Sequence, residues 1–209
     1  MTPFISAHDL SKKFNRKWVF KNLSLTIELG ETIGITGNNG SGKSTLALTL
    51  LGYMIPDKGK IIYGHSDETS APQNLFSFAG PYLDLPEFLT LAEVFKFHFS
   101  FTPLHTSLTL EEALNLVNLP GSPETPFSHF SSGMKQKTRL ALAFFTDRPG
   151  MILDEPLSNL DASGKAWYGE MIKKFGTKKT TLVFSNSQPE ELAPCGRIVA
   201  LESLSVISS

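Results

Sequence analysis

The chain of 209 residues is poor in several things, and each shortage narrows what it can be. It has a single cysteine, Cys195, so no disulfide can form within it, and a reducing compartment is the default expectation. No stretch approaches the ~20 continuous apolar residues of a membrane-spanning helix. The longest candidate, LALTLLGYMI over 46–55, is too short and is broken by Gly52. The opening MTPFISAHDLSKKF has no apolar core of signal-peptide length. A soluble or peripheral protein is therefore expected. Charge of one sign is also missing: 19 basic and 20 acidic residues are interspersed and leave a net charge of −1. Without a basic stripe, direct nucleic-acid binding has no electrostatic support. No internal repeat or low-complexity segment stands out. What is present is a 41% apolar content, enough for a core in one domain. Phenylalanine is abundant, with several in FKFHFSF at 95–101; this run reads as core or as a patch that meets an apolar partner.

Strand-like runs at 4–8, 23–29 and 32–36 are separated by few residues, which predicts an antiparallel layer. TIGITGNNGSGKSTLALTLLG then reads as strand, glycine loop and a helix from Lys43 to Leu51, stopped by Gly52. PDKGKIIYG at 56–64 reads as a turn and a strand. From about 90 the texture changes. Thr90 with Glu93, and Thr109 with Glu112, stand at capping-box spacing. The alternating phenylalanines at 95, 97, 99 and 101 fit a strand, but the cap favours a helix. PGSPETPF at 120–127 holds three prolines and excludes regular structure there. A helix over 132–146 follows, then the apolar strands GMILD and TTLVFS around a helix at 162–175. Apolar strands alternating with helices predict a buried parallel sheet. The segment 82–146 reads as a helical insertion into an α/β core formed by 1–81 and 147–209.

GNNGSGKST, residues 37–45, matches G-x-x-x-x-G-K-[ST] between a strand and a helix, the context this phosphate-binding pattern requires. Gly37, Gly40 and Gly42 let the backbone turn and approach a phosphate closely. The amides of Asn38, Asn39, Ser41 and their neighbours, with the helix N-terminus at Lys43–Thr45, aim donors and a positive dipole end at it. Lys43 adds a point charge for the β- and γ-phosphates, and Ser44 can give an oxygen to Mg²⁺. In GMILDEPLSNLD at 150–161, two carboxylates stand side by side at a strand end. Strand-end carboxylates alone are a weak signal. Beside a phosphate loop, Asp154 reads as the holder of Mg²⁺ and Glu155 as the group that takes a proton from, or orients, an attacking water.

With these residues the chain resembles the ATP-binding-cassette (ABC) ATPases over nearly its whole length. FSSGMKQK at 130–137 is similar to their signature motif, L-S-G-G-Q and a basic residue. Ser131, Ser132 and Gly133 stand on its S-G-G core, and Met134 replaces the glutamine. SNLD, ending at Asp161, stands where the family has its D-loop. The resemblance implies a P-loop NTPase (RecA-like) core of α/β class, a mostly parallel sheet, an N-terminal antiparallel layer and a helical subdomain. It implies ATP and Mg²⁺, and two cassettes closing head to tail so that Ser131, Ser132 and Gly133 meet the γ-phosphate held by the opposite subunit. It puts Phe14 where an aromatic stacks on adenine; plain packing of Phe14, or Trp18 in its place, stays open.

The chain departs from the family at two places. Pro81 aligns with a glutamine that senses Mg²⁺ and water, and no proline side chain coordinates anything; Asp84 is polar but reads as part of the following loop. Ser187 aligns with the histidine that contacts the γ-phosphate, leaving Gln188 or Asn186 as a neutral substitute and implying slower hydrolysis. The expected protein is the nucleotide-binding subunit of an ABC transporter. It would work with separate transmembrane permease subunits and a second nucleotide-binding subunit, identical or different. Its place would be cytoplasmic, peripheral on the inner face of the membrane, with no nucleic acid. The signature wording is exporter-like, and a haem-exporter-like cassette has similar length. The permease would dock in a groove lined by about 81–101. The alternatives are a weakly hydrolysing regulatory or assembly module and a soluble ABC ATPase outside transport.

Overall fold

A computed structural model describes residues 3–64 and 71–204 of the chain; residues 1, 2 and 205–209, at the ends of the expected core, and 65–70 lie outside that description. In chain order the strands are β1 (Ile5–Phe14), β2 (Lys17–Ile27), β3 (Thr32–Thr36), β4 (Lys58–Tyr63), β5 (Phe76–Ala79), β6 (Gly150–Asp154), β7 (Thr180–Ser185) and β8 (Arg197–Ala200). The helices are α1 (Lys43–Leu50), α2 (Leu91–Phe101), α3 (Leu110–Val117), α4 (Ser132–Phe145), α5 (Ala162–Met171), α6 (Pro189–Leu192) and α7 (Leu201–Leu204). A π-helical turn, Ile172–Gly176, extends α5.

Two sheets result. Strands β2-β1-β4 form an antiparallel layer, and β5-β6-β7-β3-β8 form a fully parallel sheet. The β1–β2 hairpin turns at Asn15 and Arg16, both left-handed at φ 47° and 69°, the backbone that a two-residue hairpin turn of type I′ demands. The expected antiparallel layer exists, but 32–36 is not in it. That run is β3, inside the parallel sheet. Apolar content marked it as a strand and carried no information on its partners.

Both faces of the parallel sheet are covered. Met151, Leu153 and Val183 point into one core with α2–α5. Ile152, Leu182 and Phe184 point into a second, closed by α1 and the antiparallel layer. This is the period-2 alternation of a strand buried on both sides. Both predicted capping boxes are formed, at Thr90–Glu93 and Thr109–Glu112. The phenylalanine run is helical and divided. Phe95 is buried and packs edge-on to Phe99 four residues on, while Phe97 and Phe101 pair on the exposed face. Among the described residues no helix is long and apolar enough to cross a membrane.

His98, in the last turn of α2, ties that helix to the end of α4 through Nε2 and the Thr146 hydroxyl at 2.9 Å. A helix C-terminus favours a charged imidazole by at most about 1–2 kcal/mol, and burial outweighs it: the His98 pKa is pushed down from 6.5 to about 4. The unfolded chain then binds the proton first. Stability is fully present above about pH 6.5 and is lost as the pH falls toward 4. The expected loss is about 2–3 kcal/mol at 1.36 kcal/mol per unit. Denaturant midpoints between pH 7 and 4 should fall more steeply in the parent chain than in His98→Gln. Parallel slopes would refute this.

Candidate functional site

The order β6-β7-β3 puts two expected site segments on either side of one strand. Thr36 pairs with Ser185, and Asp154 with Phe184, so the three strands end level with one another. The loop leaving β3, the carboxylates ending β6 and the residue leaving β7 therefore converge at the C-terminal edge of the sheet, where parallel α/β sheets bind ligands.

The loop 37–42 turns into α1 at Gly42, which has φ 104°. A Cβ there would collide with the Val19 side chain, so both backbone and space require glycine. Lys43, 4% exposed, folds back over the loop. Its ammonium donates to Gly37 O at 2.7 Å, to Asn38 O at 3.1 Å and to the Asn186 side-chain oxygen. Asn186 Nδ2 donates onward to Glu155 Oε1 at 2.9 Å. Lys43, Asn186 and Glu155 thus form one hydrogen-bonded chain across the ends of β3, β7 and β6.

Asp154 lies beneath it, 1% exposed. Neither carboxylate oxygen has a hydrogen-bond partner of ordinary geometry among the described residues. Burial pushes its carboxyl up; the nearby Ser44 hydroxyl and Lys43 ammonium act the other way, while Glu155 adds to the rise. An unpartnered buried carboxylate is costly, and a cation relieves it. A carboxylate and a hydroxyl are the hard oxygen donors that Mg²⁺ takes together with phosphate oxygens. Asp154 and Ser44 therefore fit the metal. Glu155 has left-handed backbone at φ 48°.

A cleft of about 390 Å³ opens above these groups, lined by Asn39, Gly40, Gly42, Lys43, Ser44, Thr45 and Glu155, with Phe14, Val19 and Tyr82. Phe14 ends β1 and is 48% exposed. Lys12 stands 5.6 Å from its ring centroid and is itself held by Ile55 O at 2.7 Å and Asp57 at 3.5 Å. Phe14 lines the cleft and Trp18 does not; Trp18 is half-buried with Lys13 over its ring at 5.3 Å. In the same loop Ser41 Oγ is buried without a partner among the described residues.

Ser131, Ser132 and Gly133 are elsewhere. They line a second cleft of about 420 Å³ with Lys137, Asn159 and Asp161, and it shares no lining residue with the first. Ser131 caps α4, accepting the Met134 N–H at 3.2 Å. A Cβ on Gly133 would come within 2.7 Å of Asn159 O, so this glycine seats the start of α4 against the segment before Asp161. Asp161 caps α5 through the Gly164 N–H at 2.7 Å, and this bond holds its carboxyl below the usual range. Lys137 Nζ lies 5.0 Å from the Trp167 ring centroid and donates to Asn118 O at 2.8 Å.

At the two departures the structure adjusts the alignment. Ser187 is exposed and left-handed at φ 67°. Its neighbour Asn186 reaches the site, while Gln188 starts α6, its backbone N–H bonded to Ser185 Oγ at 3.1 Å. Pro81 and Asp84 are exposed; Tyr82 lines the cleft. Sequence reasoning passed over Tyr82 and Val19. An aromatic beside Pro81 was the one available signal.

Residues 20–158 match the family described as ABC transporter. The chain is 31% identical over 190 residues, 88% of its length and 89% of the relative's, to the cytochrome c biogenesis ATP-binding export protein CcmA of Agrobacterium fabrum. It is 31% identical over 221 residues to the energy-coupling factor transporter ATP-binding protein EcfA2 of Methanospirillum hungatei, covering all of this chain and 56% of that one. A solved ATP-binding subunit of an ABC transporter superposes with a TM-score of 0.83 at 25% identity, over 94% of this chain and 85% of the other.

Proposed function

The chain belongs to the ABC transporter family as an ATP-binding subunit, and from that premise we propose that it binds and hydrolyses MgATP as a dimer to drive a separate membrane-spanning permease. The observation that carries the reading is the chain Lys43–Asn186–Glu155 across the sheet edge, above Asp154, whose oxygens have no hydrogen-bond partner of ordinary geometry among the described residues. Each group has a matching task. The loop amides and the N-terminus of α1 hold the phosphates. Lys43 places a positive charge on the β- and γ-phosphates. Ser44 and Asp154 hold Mg²⁺, which neutralises phosphate charge when bound. Glu155 accepts the proton of a water whose oxygen bonds to the γ-phosphorus as the bond to the leaving ADP oxygen breaks. Phe14 offers a flat face to the adenine.

The second cleft supports the dimer. Ser131, Ser132 and Gly133 form a serine-capped helix start that opens on the second cleft, suited to an anion, and line none of the first cleft. A second copy or a related cassette, turned head to tail, brings each helix start to the other's phosphates and excludes water. Tyr82, Phe88, Phe97 and Phe101 are all more than half exposed, in the stretch expected to receive the permease. This favours a place at the inner face of a membrane. The relatives named as export proteins favour export. Pro81 and the uncharged Asn186 support a second reading, a cassette that binds ATP and hydrolyses it slowly as a regulatory or assembly module.

The deciding test is ATP turnover per molecule against protein concentration with Mg²⁺. The expected result is a specific rate that rises with concentration and then levels off, as sites completed in trans require. A constant specific rate would refute the dimeric engine. ATP bound with no turnover at any concentration would favour the second reading.

A further inference from the structure

Glu191 is fully buried, in the four-residue helix α6. Its Oε1 accepts the Leu157 N–H at 3.0 Å, and its Oε2 is buried without a partner among the described residues. Leu157 lies two residues beyond Glu155, in the turn that aims that carboxylate. The turn holds Glu155 at φ 48°, a conformation a non-glycine residue keeps only when its surroundings over-determine it. Four bonds do so: Glu155 N–H to Phe184 O at 2.9 Å, Ser158 N–H to Glu155 O at 3.1 Å, Gln136 Nε2 to Pro156 O at 3.1 Å, and the bond from Leu157 to Glu191.

We propose that Glu191 is a positioning residue for Glu155, a buried brace that fixes the spacing between the loop carrying Asn186 and the turn carrying Glu155. The two loops are cross-linked twice. At the cleft, Asn186 Nδ2 meets Glu155 Oε1 at 2.9 Å. Beneath, Glu191 meets Leu157. Without the lower link the spacing rests on the upper one and on the Glu155 N–H to Phe184 O bond at the strand end, and neither reaches the turn beyond Glu155. Burial pushes the Glu191 carboxyl up, the Ser185 hydroxyl and the Leu157 N–H oppose this, and Glu155 and Asp154 add to it. The bond to Leu157 needs only an acceptor oxygen at Oε1, and a glutamine amide oxygen supplies one. This rests on the ATPase reading for its effect on turnover, but not for its effect on the turn.

The test compares Glu191→Met, which keeps the volume and removes the acceptor, with Glu191→Gln, which keeps the acceptor and removes the charge. Each is measured for turnover and KM for ATP, for the fraction of molecules that bind ATP, and for deuterium exchange across 156–160. Expected for Met is a turnover lower by about 10-fold per ATP-binding molecule, a KM within about two-fold, and faster exchange in the turn. Gln is expected to restore all three. Turnover that falls only in step with the ATP-binding fraction, with unchanged exchange, overturns the proposal and leaves Glu191 as packing. A Gln variant as impaired as Met overturns it too. If the parent protein turns over no ATP, the hydrolysis reading fails, and the exchange of 156–160 alone decides for or against the brace.

Discussion

Glu155→Gln is expected to bind ATP at least as tightly as the parent chain and to hydrolyse it about 100-fold or more slowly, the range over which a positioned general base acts. The substitution keeps the volume and leaves the backbone of the turn free to hold φ 48°. Its amide can still meet Asn186, since an amide oxygen accepts the bond that Oε1 now accepts. What it loses is the proton acceptor. Nucleotide affinity should not suffer, because a negative charge is removed beside the phosphates while Lys43, Ser44 and the loop amides stay. In the dimeric reading the variant also accumulates as an ATP-bound dimer, since the step that opens it is blocked. Size-exclusion chromatography with and without MgATP, run beside a turnover assay, checks both parts. Turnover within a few-fold of the parent would remove Glu155 from the reaction and leave water activation to phosphate positioning alone. Weaker ATP binding would mean that the carboxylate orders the loop rather than the water.

Legibility from sequence followed the range of the information. The phosphate loop is a local device: the six residues 37–42 and the start of α1, all within 37–45. Its residues and its place between strand and helix could be read without knowing the rest. The same holds for the caps at Thr90, Thr109 and Ser131, each bonded to the N–H three residues on. The pairing of β3 was different. Its partners are β7 and β8, some 150 residues away, and an apolar run is equally content beside any neighbour. At the second departure the spacing left Asn186 and Gln188 both open, and only the backbone distinguishes them. Spacing on the PEEL segment named Ser187, but the chain turns left-handed there, so the side chain one position earlier points to the site. Glu191 was the least legible. Its burial depends on α6 lying against the turn after β6, which no pattern within PEEL encodes.

Asn186→Ala is the second substitution with a large expected effect, and its two observables should move in different directions. Lys43 has three N–H donors, and Gly37 O, Asn38 O and the Asn186 oxygen take all three. A phosphate bound by Lys43 replaces one of them. The two carbonyls belong to the loop that wraps the same phosphate, so Asn186 is the acceptor most readily given up. Removing it frees the ammonium, and ATP affinity should hold or improve. Turnover should fall. The bond from Asn186 Nδ2 to the Glu155 carboxylate involves a charged group, and such bonds contribute about 1.5–3 kcal/mol, which is about 10- to 100-fold in rate if the alignment of Glu155 depends on it. Asn186→His should recover much of that loss, since an imidazole in the same place can also donate to Glu155, and once protonated it adds charge facing the γ-phosphate. Steady-state kcat and KM for the parent, Ala and His chains, with Gln188→Ala as a fourth, separate the possibilities. If Gln188→Ala slows turnover and Asn186→Ala does not, the neutral substitute is Gln188, reached by a rearrangement of the loop before α6. If neither changes turnover, no residue of this loop stands in for the histidine, and Glu155 aligns its water through the turn alone.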